Sequence, residues 1–173
     1  MLLLLLFGKL FKDLIVFWIM VIERALKSDV LKISELAYDL FNVHTQLDPY
    51  YAHNEDSLKV TIETYSKWIE MNEFSFYVAK EEGEIVGFII GKIEKEEPIY
   101  IRKRKGIVIA LFVDSKFGGR GISKELFTNL SAWFKENGVD DIELYVHTKN
   151  EAAMGAWSKY GFVVDSHRMR KRI

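Results

Sequence analysis

The chain has 173 residues, 49% of them hydrophobic and 28% charged, with a formal net charge of -1. Those values fit one globular domain with a substantial core and argue against a natively unfolded chain or a bulk basic footprint for nucleic acid. The absence of cysteine excludes disulfides, a thiol nucleophile and a thiolate metal site, and the four scattered histidines lack metal-ligand spacing, so no metal is expected.

Residues 1–19 read as an apolar extension ahead of a domain over 20–173. Residues 1–7 are nearly all leucine and residues 14–22 are all apolar, with Lys9, Lys12 and Asp13 between the runs. Neither run reaches the roughly 20 apolar residues of a membrane span. No basic stretch precedes the leucines and no small-residue cleavage site follows, so a secretory signal fits poorly. Three readings stay open. The segment is an upstream start with Met20 as the functional start, an added helix packed on the domain or on a second subunit of a homodimer, or a membrane anchor.

Residues 21–25 alternate as a half-buried strand does. Ser28 or Asp29 is placed to cap a helix running to about Phe41, with Val30, Ile33, Leu36, Ala37 and Leu40 on one face. Residues 42–57 are polar, contain Pro49 and read as a loop, with or without a short helical turn. Helical spacing returns over 58–71 through Val60, Ile62, Tyr65, Trp68 and Ile69. Residues 74–80 and 85–94 read as strands around a Glu-Glu-Gly-Glu turn, and 95–105 as an exposed charged segment.

Residues 107–113 form an apolar run that predicts a buried fourth strand, and apolar residues recur at helical spacing from Lys124 to Phe134. Between them lies Asp114-Ser115-Lys116-Phe117-Gly118-Gly119-Arg120-Gly121-Ile122-Ser123. Glycines let a backbone approach a ligand with no Cβ in the way. The unpaired amides of the next helix would point at that ligand, and the helix dipole favours negative charge there. This is either a phosphate cradle or simply a tight strand-to-helix turn. Gly138 is placed to end the helix. A fifth strand over 142–146, a fourth helix over 150–160, and one or two strands from Phe162 onward complete the order. The whole predicts an α+β fold, a mixed twisted sheet flanked by helices.

Two motifs carry a resemblance. Residues Gly118 to Ser123 resemble the Gln/Arg-x-x-Gly-x-Gly/Ala loop of the GNAT N-acetyltransferase superfamily. Gly118 replaces the usual Gln/Arg and Ser123 the usual Gly/Ala, and neither change removes a backbone amide. The segment from Asn150 to Phe162 is similar to the family's Asn-x-x-Ala helix and its Tyr-Glu-Lys-x-Gly-Phe ending. The likeness covers the chain from about Val21 onward, with its specific motifs in the last third.

The resemblance implies a cytoplasmic enzyme that uses acetyl-CoA as co-substrate and moves the acetyl group directly to an amine. The acceptor would be a small molecule or a protein amine, its site shaped by residues 42–57 and 95–105. The loop amides of Gly118, Gly119, Arg120, Gly121, Ile122 and Ser123 would hold the CoA diphosphate. The backbone of Leu111, Phe112 and Val113 would pair with the pantetheine where the fourth and fifth strands part, one amide facing the thioester oxygen; otherwise it is an ordinary buried strand. Asn150 would touch CoA, cap its helix, or both. Ala153 and Met154 would pack on the pantetheine or in the core.

The family often places a Tyr acid where this chain has Trp157, whose indole N–H donates a hydrogen bond but is not a usable acid. Tyr160 is a substitute or a core aromatic. The family's Glu base would fall near Ile107 and is missing. Candidates are Glu143 and His147 about the fifth strand, and His44, Asp48 and His53 in the loop 42–57. The missing Tyr and Glu keep open a second reading, a non-catalytic acyl-CoA-binding module. The basic runs 102–105 and 167–172 are solvated strand ends or touch the CoA 3′-phosphate or RNA. The balancing acidic residues favour the first.

Overall fold

A computed structural model describes residues 20–171. The readings placed on residues 1–19 lie outside the described residues. Strand β1 (Met20–Arg24) leads through a 3-10 turn to helix α1 (Val30–Leu47), and a second 3-10 turn (Pro49–Tyr51) leads to α2 (Ser57–Trp68). Strands β2 (Phe74–Glu81), β3 (Glu84–Lys95) and β4 (Arg104–Val113) follow, then α3 (Ile122–Glu136), β5 (Ile142–Leu144) and α4 (Glu151–Lys159).

The sheet order is β1-β2-β3-β4-β5. The first four strands pair antiparallel and β5 joins β4 in parallel, so the sheet is mixed as the element order predicts. The β2–β3 turn puts Glu82 at φ 52° and Gly83 at φ 85°, the left-handed pair that matches the twist of a two-residue hairpin.

Side chains of β2 and β3 alternate between two buried faces. Phe76, Val78, Phe88 and Ile90 meet Val30, Ile33, Ala37 and Tyr65 of α1 and α2. Ala79 and Ile89 meet Leu126, Leu130 and Phe134 of α3, with Trp157 of α4 beside them. Helix α3 lies so close to the sheet that a Cβ on Gly91 would come within 2.5 Å of Leu130 Cδ1, and one on Gly106 within 2.8 Å of Phe134 Cε1.

The main departures from the sequence reading are these. Helix α1 continues past residue 41 to Leu47 because nothing in 42–46 breaks it. It ends where Asp48 turns extended (φ -152°, ψ 116°) ahead of Pro49, the conformation a following proline demands. Asp29 does not cap α1 with its side chain; its carboxylate accepts from the Leu26 amide at 2.9 Å and pairs with Lys80 at 3.2 Å. Strand β5 stops at Leu144 rather than 146. The strands expected beyond Phe162 do not form: residues 162–171 are irregular, and Val163 and Val164 are 86% and 68% exposed. A three-residue β5 offers too little edge for a further strand to pair.

The feature that positions the site is a β-bulge. Ile90 faces Ala110 and Gly91 faces Val108, leaving Ile109 of β4 without a partner. Strand β5 pairs with Gly106, Ile107 and Val108 only. A bulge bends its strand and ends local pairing, so β4 and β5 part beyond Val108.

Candidate functional site

Beyond the bulge, Leu111, Phe112 and Val113 are half-buried. They pair with β3 on one edge, and among the described residues no strand pairs with the other. At the end of β4 the chain makes a compact turn. Asp114 Oδ1 accepts from the Lys116 amide at 2.9 Å, and the Gly118 amide donates to the Ser115 carbonyl at 3.1 Å. Gly119 (φ 76°) and Gly121 (φ 78°) then adopt left-handed backbone that glycine takes without strain.

Gly121 is the N-cap of α3, its carbonyl accepting from the amides of Lys124 and Glu125 at 3.0 and 3.1 Å. The amides of Gly119, Gly121, Ile122 and Ser123 find no acceptor among the described residues. A Cβ on Gly119 or Gly121 would meet nothing within 4 Å. Open space, unpaired amides and a helix N-terminus therefore coincide, the arrangement that suits a phosphate. The Arg120 side chain turns away from it, with Nη1 at 2.6 Å from Oε1 of buried Glu81 and the guanidinium over the Phe117 ring. A cavity of about 310 Å³ is bounded by Asp114, Lys116 and Phe117 of this turn. It is lined by Glu81, Glu82, Glu84 and Asp114 against Lys32 and Lys116, a charge balance wrong for a diphosphate.

Asn150 caps α4, its Oδ1 accepting from the Ala153 amide at 3.1 Å; its Nδ2 makes no hydrogen bond among the described residues and remains a donor. Ala153 is partly buried beside the core around Trp157. Trp157 is 9% exposed and edge-on to Phe127, Tyr160 and Phe162, with centroids 5.2 to 5.7 Å apart. Its N–H has no hydrogen-bond partner among the described residues. Tyr160 stacks on Phe127, and its hydroxyl lies 3.0 Å from Ser123 Oγ. That bond ties the end of α4 to the first turn of α3 and links two residues that the sequence offered separately.

The base candidates separate. Glu143 faces Lys105 at 3.0 Å and Arg102 at 3.5 Å, in a network with Glu96 and Asp141. His53 uses both ring nitrogens, on Ser57 Oγ and Asn42 Oδ1, each at 3.0 Å. His147, His44 and Asp48 come together. The Tyr51 ring touches both imidazoles, with centroids 6.2 Å from His44 and 5.9 Å from His147. Asp48 Oδ2 lies 3.6 Å from His147 Nε2 and 2.6 Å from Arg170 Nη2, and Arg170 also stands over the Tyr50 ring at 3.8 Å. Hydrogen bonds from Arg170 and the Tyr50 amide hold the Asp48 carboxyl down at about 2. Burial, and then the charge of His147, lower the pKa of His44. Tyr51 and the bulge at Ile109 were not singled out from the sequence, with only the aromatic pair beside Pro49 hinting at the first; Arg170 was read as part of the basic run 167–172, and its place on Asp48 was not.

A family model for the acetyltransferase (GNAT) family matches residues 37–162. The chain belongs to the GNAT family. An uncharacterized N-acetyltransferase of Methanocaldococcus jannaschii is 30% identical over 164 residues, covering 88% of this GNAT chain and 66% of that protein. Among solved structures, a mutant of the BH1408 protein from Bacillus halodurans has a TM-score of 0.81 at 17% identity, covering 88% of this chain and 99% of that one. A predicted acetyltransferase of Clostridium acetobutylicum, solved with acetyl-CoA, has a TM-score of 0.72 at 18% identity, covering 89% and 96%. These structural likenesses carry the fold. The GNAT chain spans 66%, 31% and 61% of the length of the first three curated relatives it matches. Among the described residues, no helix is long and apolar enough to cross a membrane, and no group of three or more His, Asp or Glu is placed to hold a metal ion.

Proposed function

We propose that this chain is an acetyl-CoA-dependent N-acetyltransferase that transfers acetyl directly to an amine, in the cytoplasm, with residues 20–173 as the catalytic unit. The observation that carries it is the junction of two openings on one strand. The unpaired edge of β4 at Leu111, Phe112 and Val113 runs straight into the amide-lined turn from Gly118 to Ser123. A ligand with a peptide-like arm and a diphosphate fits that junction: the arm takes the place of the missing strand pairing, and the diphosphate meets the helix N-terminus.

On this reading the exposed β4 edge holds the thioester and offers an amide to the oxygen that gains charge, worth several kcal/mol in a water-poor slot. Positioning the amine against the carbonyl carbon supplies a comparable share. Asn150 Nδ2 and the wall formed by Ala153 and Trp157 bound the slot. The nitrogen lone pair attacks the carbonyl carbon, the carbon–sulfur bond breaks, and the thiolate leaves.

The second reading, a module that holds acyl-CoA without turnover, draws on Trp157 in place of a hydroxyl acid and on Tyr160, whose hydroxyl is engaged by Ser123. Thiol release from acetyl-CoA, measured with polyamines, aminoglycosides, amino acids and peptides, separates the two. Amine-dependent release supports the enzyme. Tight CoA binding with no release above the amine-free rate across the panel would establish the module instead.

A further inference from the structure

We propose that His44 is the general base that takes a proton from the acceptor's ammonium. The proposal rests on the N-acetyltransferase reading and names a residue for it. It begins from which lone pairs are available. A base must have one facing the substrate. His53 has both nitrogens bonded and Glu143 faces two cations. Asp48 carries Arg170 and the Tyr50 amide, and a carboxyl with a pKa of about 2 is too weak a base to deprotonate an ammonium.

His147 is excluded by its tautomer. Its Nδ1 lies 3.1 Å from the Lys149 amide. A backbone N–H only donates, so Nδ1 is the acceptor and the ring proton sits on Nε2, facing Asp48. His147 has no lone pair left to offer. Its place is to orient the cluster.

His44 differs on each count. Neither of its ring nitrogens has a hydrogen-bond partner among the described residues. It is half-buried in the last turn of α1, beside Tyr51. Tyr51 in turn packs against His147, three residues beyond the end of β5, at the rim where β4 and β5 part. The imidazole therefore lies one aromatic ring away from the segment that follows β5 where the two strands part.

The charges around it work in opposite directions. The C-terminus of α1 and Asp48 favour a protonated ring. Arg170 neutralises Asp48, and Lys149 places its ammonium 3.3 Å from the Leu47 carbonyl at that same helix end. Burial then favours the neutral ring, lowering the pKa from its ordinary 6.5. Tyr50 and Tyr51 complete the surrounding groups. At neutral pH the ring is thus unprotonated and ready to accept. Of the two protons that the nitrogen loses as the carbon–nitrogen bond forms and the carbon–sulfur bond breaks, one passes through His44 to solvent. The other ends on the departing thiolate.

The test is the pH profile of kcat/KM for the amine the full chain turns over fastest in the panel above, with CoA affinity measured alongside. His44→Gln is expected to bind CoA within twofold of the unsubstituted chain and to lose about a hundredfold in kcat/KM near pH 7. It is also expected to lose the limb of the profile that titrates below 6.5. His147→Gln should retain that limb. His44→Ala should regain rate on addition of imidazole, a rescue that a purely structural role would not give. A His44→Gln protein that keeps the limb and the rate overturns the assignment. A chain that binds CoA but acetylates no amine in the panel overturns the enzyme reading itself, and the assignment with it.

Discussion

Gly121→Asp should separate the fold from the ligand site. Gly121 holds φ 78° and ψ 6° at the N-cap of α3, and a Cβ there meets nothing within 4 Å. The substitution therefore causes no collision, only the cost of a left-handed L-residue, about 1–2 kcal/mol. A carboxylate at a helix N-terminus returns about 0.3–1 kcal/mol. The net loss of about 1 kcal/mol should lower Tm by about 2–4 °C in a domain of this size. Binding should suffer far more. A carboxylate about 4 Å from one phosphate charge, at an effective dielectric near 20, costs about 4 kcal/mol, or roughly a thousandfold in Kd. Calorimetric titration with CoA beside a thermal melt reads both quantities. Gly121→Ala supplies the strain without the charge and should lose little affinity. A pantetheine fragment lacking phosphates should bind the Asp variant as it binds the unsubstituted chain. If folded Gly121→Asp binds CoA with unchanged affinity, the diphosphate does not sit at this turn.

Trp157→Phe should cost on the order of 1–2 kcal/mol in stability through the smaller ring, leave CoA affinity nearly intact and slow turnover modestly; a thousandfold loss, about 4 kcal/mol, would place the indole in the transition state. Trp157→Tyr should keep or raise activity, and a folded but inactive protein would count against Trp157 as the counterpart of the family's Tyr. Tyr160→Phe removes a hydroxyl 3.0 Å from Ser123 Oγ and should cost about 1 kcal/mol in a melt; no change would mean the bond is not formed in solution. The pKa of folded His44 lies below 6.5, so between the two values the unfolded chain binds more protons and stability falls as pH drops through that window. His44→Gln should flatten this slope, and an unchanged slope would contradict the shift. A chain beginning at Met20 should fold and bind CoA, whereas an unfolded or CoA-blind truncation would make residues 1–19 part of the core.

What was legible in the sequence was local. The glycine turn, the Glu82-Gly83 hairpin and the apolar stripes of the helices are encoded within a few residues, and each appears where those residues sit. What was not legible depends on residues far apart. His147 and Arg170 reach Asp48 only because the segments after β5 and after α4 return to the end of α1, and no spacing records that. The aromatic pair Trp157 and Tyr160 invited a comparison of acids, yet packing turned one into the core and bonded the other to Ser123. The apolar residues Val163 and Val164 look like strand and stay exposed, because pairing needs an edge as well as propensity.

The extra residue in β4 has a consequence for how the slot could be lost. In an unbroken strand, residues two apart share a face. Val108 lies with the α3 core and Ala110 with the core under α1 and α2, so the count changes parity at Ile109. Leu111 then returns to the side of Val108, and Phe112 to the side of Ala110. The opening is thus written in the number of residues rather than in their kind. Point substitutions along β4 can roughen or narrow it, but they leave the parity untouched. Deleting Ile109 would restore the count, leave each end of β4 on the faces it already occupies, and offer β5 an unbroken edge to zip along. An opening specified in this way tolerates wide change in side chains, so long as no residue is gained or lost.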